Sequence, residues 1–198
     1  MCFCGIGNLA AADVRIAPHT TSMPASCTAS CSLALRPLRP GDEEALLAIF
    51  TSTREQERQQ FGWSAQAWDA FIRQQFAAQH AQYMRAYANP TFSLVLRGGE
   101  EGEVAGRLYV DRTPEEIRIV DIALLTRHRR QGIGRLLLQA LADESDASGI
   151  PLGLHVEKNH PILGYYQHLG FQVQADRGLY LYMQRPPRPP LPSPPPEE

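Results

Sequence analysis

Residues 116 to 157 constrain the fold more than any other part of this chain. "EIRIVDIALL" reads as a strand, "TRHRRQG" as a turn, "IGRLLLQALADESDASG" as an amphipathic helix and "PLGLHVE" as a further strand. Strands joined by a helical crossover lie parallel, because the helix returns the chain to the end of the sheet it left. The helix carries Ile133, Leu136, Leu137, Ala140, Leu141 and Glu144 along its expected inner stripe. Gly149 is its natural stop.

The segments around this unit read mostly as hairpins. "TFSLVLR" and "EVAGRLYVDR" flank the turn "GGEEG", and "GFQVQA" with "GLYLYMQ" forms a closing pair. "SLALRPL" is a first strand that stops at Pro40-Gly41. Asp42 occupies an N-cap position, with Glu43 and Glu44 near the positive end of a helix through Leu46, Ile49, Phe50 and Thr53. After the connection "STREQERQQFGWS", a second helix aligns Trp68, Phe71, Ile72, Phe76, Tyr83 and Tyr87, and Asn89-Pro90 ends it. "HPILGYYQHL" is a short helix. The order β-α-α-β-β-β-α-β-α-β-β predicts an α/β (α+β) protein: a mixed, mostly antiparallel central sheet with helices on both faces.

A chain of 198 residues is long enough for one domain with a sizeable core. The expected boundaries are a disordered leader at 1–32, the folded unit at 33–185 and a Pro-rich disordered tail at 186–198. All four cysteines (Cys2, Cys4, Cys27, Cys31) fall in the leader, where they read as incidental thiols, a metal clip or two disulfides. A core without cysteine fits a reducing cytoplasm. The tail "RPPRPPLPSPPPEE" lacks most amide donors and is expected to be extended; it also resembles a ligand for a polyproline-binding groove. A net charge of −2 gives no general attraction to nucleic acid or anionic membrane. No apolar run approaches the roughly 20 residues of a membrane span, so the expectation is a soluble chain.

Positive charge is local instead. In "RHRRQGIGRLLL" a glycine turn leads directly into a helix, an arrangement that seats phosphates on unpaired N-terminal amides. Gly132 and Gly134 let oxygens approach where a Cβ would intrude, and Arg127, Arg129, Arg130 and Arg135 complement the charge. A Walker loop requires Lys-Ser/Thr after the last glycine, where Arg135-Leu136 stands. A dinucleotide fingerprint requires a small residue at 137, which is leucine.

Arg129-Arg130-Gln131-Gly132-Ile133-Gly134 resembles the R/Q-x-x-G-x-G/A signature of the GNAT acetyltransferase superfamily. "NHPILGYYQHLGF" is similar to that family's N-x-x-A-x-x-x-Y-x-x-x-G-F segment, aligning Asn159, Tyr166, Gly170 and Phe171, with Ile162 where a small residue is common. The resemblance covers nearly the whole folded unit. It implies an acyl-CoA N-acyltransferase (GNAT-like) fold whose fourth and fifth strands splay apart around acetyl-CoA, an acyl-donor co-substrate, with no metal.

By the same resemblance, amides from Arg130 through Gln131, Gly132, Ile133, Gly134 and Arg135 hold the pyrophosphate beside Arg129. Leu124, Leu125 and Thr126 lie at the strand edge that meets the pantetheine arm, and Asn159 contacts that arm or supports the opened strand. Tyr166 is the family's usual proton donor to the departing thiolate; its alternative role is to pack against the cofactor. Asp121 stands where the family often places a base, on an alternation that gives it the face of Ile117, Ile119 and Ala123. His155 and Glu157 are rivals, and a structural Asp121 stays open. The acceptor wall is expected around Arg54, Glu55, Glu57, Phe61 and Trp63.

The implied activity is transfer of acetyl to a primary amine of a small molecule or protein. The alternative is a non-catalytic acyl-CoA-binding sensor with a Pro-rich interaction tail. Expected partners are the amine acceptor alone, without nucleic acid or membrane. Acceptor identity, acyl length and oligomeric state, a homodimer included, stay open.

Overall fold

A computed structural model of the chain describes residues 32–86 and 90–188. The leader cysteines, Tyr87, Asn89 and the tail from residue 189 lie outside the described residues. Among the described residues seven strands occur in chain order: β1 (Leu33–Pro37), β2 (Thr91–Arg97), β3 (Glu103–Arg112), β4 (Ile117–Leu124), β5 (Leu152–Glu157), β6 (Gln172–Arg177) and β7 (Tyr180–Arg185). The helices are α1 (Glu43–Thr53), α2 (Glu55–Phe61), α3 (Ala65–Ala86), α4 (Ile133–Ser148) and α5 (Leu163–His168). The strands form one sheet in the order β1-β2-β3-β4-β5-β7-β6. Pairing is antiparallel except for β4 with β5, the two strands that the α4 crossover joins. The mixed, mostly antiparallel sheet expected from the sequence is therefore present.

Each face of the sheet has its own core. On one, Ile133, Leu137, Leu138 and Leu141 of α4 pack with Tyr166 of α5 against Val110, Ile119, Leu152 and Leu154. On the other, Leu46 and Ile49 of α1 and Tyr83 of α3 cover Leu94, Leu96, Tyr109 and Val120. Trp68 and Ile72 of α3 meet Leu47 and Phe50 of α1 in a satellite cluster.

Several expectations change. The connection after α1 contains α2, a helix with no buried residue. "EQERQQF" is made largely of good helix formers but has no apolar period, so periodicity is silent about it; Gly62, at φ 60°, ends it in the left-handed conformation. On α4, Leu136 is 53% exposed while Leu138 and Ala142 are buried. The inner stripe thus runs through 133, 137, 138, 141, 142 and 145, rotated from the one read off the sequence. Asp42 does sit before α1 but caps nothing with its side chain. Its carboxylate accepts from Arg36 at 2.7 and 3.1 Å and from the Arg39 amide at 2.7 Å, locking the loop to β1.

The change with most consequence is in β4. Tyr109 pairs with Asp121 and Val110 with Ile119, so Val120 is an extra residue, a β-bulge. One inserted residue inverts the alternation beyond it. Ile117 and Ile119 face the α4 core, while Asp121 and Ala123 face the α1 and α3 side. The shared face expected for all four does not exist.

Candidate functional site

The parallel ladder between β4 and β5 is short: Ile117 with Leu152, Arg118 with Gly153, Ile119 with Leu154, and then it stops at the bulge. Beyond that point β4 stays paired with β3 as far as Leu124, and β5 stays paired with β7 as far as Glu157. Each strand keeps its outer neighbour and loses the other, which opens a wedge. The Leu125 amide donates to Ala105 of β3 at 2.9 Å, so alternation turns the Leu124 amide toward the wedge.

At the end of β4 a single 3-10 turn, Thr126–His128, leads into the glycine bend. Arg130 has φ 60° and Gly132 φ 82°, and together these left-handed residues fold the chain back onto the start of α4. Glycine is needed at 132 for this backbone conformation rather than for space, since a Cβ there meets nothing within 4 Å. At Gly134 an added Cβ makes only ordinary contact, 3.9 Å from Leu124 Cδ1. Among the described residues no protein acceptor engages the amides of Arg130 through Arg135. The first turn of α4 holds no acidic side chain to compensate the positive end of the helix. The bend is thus a run of amide donors without an acceptor among the described residues.

The basic side chains divide into two groups. Arg127 pairs with Glu103 at 2.7 Å. Arg129 donates through Nε to the Leu124 carbonyl at 2.8 Å, and through Nη2 to the carbonyl and Oγ of Ser52 at 2.8 and 3.2 Å. Gln131 accepts from Arg97 at 2.8 Å and donates to the Arg127 carbonyl at 2.6 Å, which pins the loop from outside. Arg130 and Arg135 have no ion-pair partner among the described residues. These two carry the uncommitted charge of the bend.

Tyr166 is 6% exposed, with its ring edge-on to Phe171 at 5.6 Å. Asn159 lies exposed in the turn between β5 and α5. Across the wedge, Asp121 is buried and bound to Arg107 at 2.5 Å, with the Tyr83 hydroxyl donating to the same oxygen at 3.4 Å. Arg107 also donates to Gln79 at 3.0 Å. Burial pushes the neighbouring Tyr109 hydroxyl up to about 12. On β5, His155 faces the Tyr182 ring at 5.1 Å. Burial first, and then the positive charge of Arg118, push its imidazole below the ordinary histidine value.

Arg107 and Tyr83, the partners of Asp121, escaped the sequence reading. Arg107 did leave a signal, as a charge inside the otherwise apolar "VAGRLYV". Its pairing with Asp121 had none. A cavity of about 360 Å³ runs along α1 and α2, lined by Glu44, Leu47, Ala48, Thr51, Ser52, Glu55 and Arg58; of the residues expected in the acceptor wall, Glu55 lines it and Arg54, Glu57, Phe61 and Trp63 do not. Glu55 accepts from Thr126 Oγ1 at 3.4 Å, so this wall touches the bend. Phe61 and Trp63 stack 5.2 Å apart and are about half exposed. Among the described residues no group of acidic, histidine and cysteine side chains is arranged to hold a metal ion. Nor is any described helix long and apolar enough to cross a membrane.

Residues 50–171, more than half of the chain, match the model of the acetyltransferase (GNAT) family. No curated protein matches the sequence significantly. Solved structures do match. One is the PaiA N-acetyltransferase of Thermoplasma acidophilum in complex with coenzyme A, at 16% identity and TM-score 0.57, covering 78% of this chain and 99% of that one. The ribosomal-protein-S18-alanine N-acetyltransferase of Escherichia coli is 22% identical with TM-score 0.50, covering 78% and 94%. Ard1 of Thermoplasma volcanium is 18% identical with TM-score 0.51, covering 79% and 98%. At these identities the likeness is one of fold.

Proposed function

Since this chain belongs to the acetyltransferase (GNAT) family, we propose that it moves an acetyl group from acetyl-CoA to a primary amine of a small molecule or protein. The observation that carries this reading is the run of unengaged amides from Arg130 to Arg135, set at the mouth of the β4–β5 wedge. The amides and the side chains of Arg130 and Arg135 hold the diphosphate. The Leu124 amide, on the edge of β4, holds the pantetheine arm or steadies the oxyanion that forms on attack.

The amine nitrogen bonds to the thioester carbon, the carbon–sulfur bond breaks, and Tyr166 gives its phenolic proton to the departing sulfur. An alkylamine with pKa about 10.4 is only ~0.1% neutral near pH 7.4, a deficit of roughly 4 kcal/mol that a base helps recover. Of the candidate bases, His155 suits this task better than Asp121. Its depressed pKa keeps the imidazole in the proton-accepting form at neutral pH. Asp121 is instead committed within the protein to Arg107 and to the Tyr83 hydroxyl.

The test has two stages. Acetyl-CoA should protect the protein from heat in a saturable way, and thiol release with a panel of amines should then demonstrate turnover. Protection without thiol release from any amine leaves a cofactor sensor; absence of protection removes the donor assignment. His155→Gln should depress the rate more steeply than Asp121→Asn below the pKa of the amine, and the reverse order would move the base to Asp121.

A further inference from the structure

Resting on the acetyl-CoA reading above, we propose that Arg129 is a positioning residue that couples the donor bend to the acceptor wall. It sits in the family signature among residues that face a phosphate, yet its guanidinium is occupied elsewhere. Nε holds the carbonyl of Leu124, the last residue of β4 at the wedge. Nη2 holds the carbonyl and hydroxyl of Ser52 in the last turn of α1. Carbonyls in a last turn have no partner within their helix, so Ser52 depends on an outside donor. Ser52 also lines the cavity along α1 and α2.

One planar fork therefore bridges the edge of β4 to the lip of the acceptor cavity, from a residue directly before the bend. The Thr126–Glu55 contact is a second and longer stitch between the same two parts. A lysine ammonium is a point donor and does not reproduce two divergent bonds of this kind. Fixing the peptide after Arg129, as an anion on the Arg130 to Arg135 amides must, fixes the base of this bridge. Donor binding is thereby transmitted to the end of α1 and to α2, and by linkage acceptor binding is transmitted back with an equal factor, typically about 5- to 150-fold.

The experiment uses the full chain and acetyl-CoA itself as the probe. Amide hydrogen exchange is followed by mass spectrometry with and without saturating acetyl-CoA, for wild type, Arg129→Met and Arg129→Lys. Fluorescence of Trp63 and Trp68, the only tryptophans, gives a parallel signal, since Trp68 shares a cluster with the cavity-lining Leu47 and contacts Trp63. In wild type, acetyl-CoA should slow exchange at residues 130–135 and also at residues 50–61. In Arg129→Met the first effect should persist, with donor affinity down by no more than about tenfold, while slowing at 50–61 and the tryptophan response disappear. Arg129→Lys keeps the charge, guards against a folding failure of the methionine variant, and should recover less than half of the distal slowing. Distal slowing that survives in the lysine and methionine variants overturns the proposal. So does wild-type protection confined to the bend. If no form binds acetyl-CoA, the donor reading itself fails and the coupling falls with it, an outcome distinct from normal binding with unchanged distal exchange.

Discussion

Gly134 separates what the protein needs from what a ligand needs. It is the second residue of α4, it has no left-handed φ, and a Cβ built on it meets only Leu124 Cδ1 at 3.9 Å. Within the protein alone, then, nothing requires glycine there. Replacing it by alanine removes backbone entropy from the unfolded chain and is expected to stabilise the free protein by about 0.5–1 kcal/mol. For a chain of this size that raises Tm by roughly 1–4 °C. Leucine has a similar helix preference but places further carbons on the first turn, where an anion bound to the bend must approach. At a hundredfold excess over Kd, acetyl-CoA stabilises wild type by about 2.7 kcal/mol, or roughly 5–10 °C. A hundredfold loss of affinity in Gly134→Leu reduces this to about 0.4 kcal/mol, near 1 °C. Differential scanning fluorimetry of the three proteins, free and with acetyl-CoA, reads both quantities. A lowered Tm in free Gly134→Ala contradicts the local geometry. An undiminished acetyl-CoA shift in Gly134→Leu contradicts the placement of the diphosphate on this bend.

Arg130, held at φ 60°, is strained by about 1–2 kcal/mol; Arg130→Gly should raise the free protein's Tm while weakening acetyl-CoA, as calorimetry would register. Tyr166→Phe should lower turnover about a hundredfold with little change in donor affinity, and a loss of affinity alone would assign the ring to packing. Arg107→Met leaves Asp121 buried without its countercharge and should cost about 3–5 kcal/mol in urea unfolding, whereas a near-neutral result would mean the pair relaxes into solvent. His80 and His155 both have pKa values depressed first by burial. The unfolded chain therefore binds their protons more readily, and their contribution to stability, complete above about pH 6.5, is lost as pH falls through that value and below. Replacing both by Gln should flatten the stability profile between pH 7 and pH 5, followed by denaturation midpoints.

Local pattern determined much of this molecule. Alternation marked the strands, the apolar period marked α1, α3 and α4, and two glycines between a strand and a helix marked the bend, because each is a property of neighbouring residues. The parallel β4–β5 pair was legible for the same reason, since a crossover helix leaves little choice of direction. Periodicity could not reveal α2, whose residues bury nothing. Nor could it anticipate the bulge at Val120, which turns Asp121 from the α4 face toward Arg107 and Tyr83 and marks where β4 and β5 part. The tertiary structure also decided that Arg129 reaches Ser52 while Arg130 and Arg135 stay uncommitted, although all three look alike in the sequence. Their difference comes from what the fold brings beside each one, and a contact between residues far apart along the chain leaves no mark on the residues nearby.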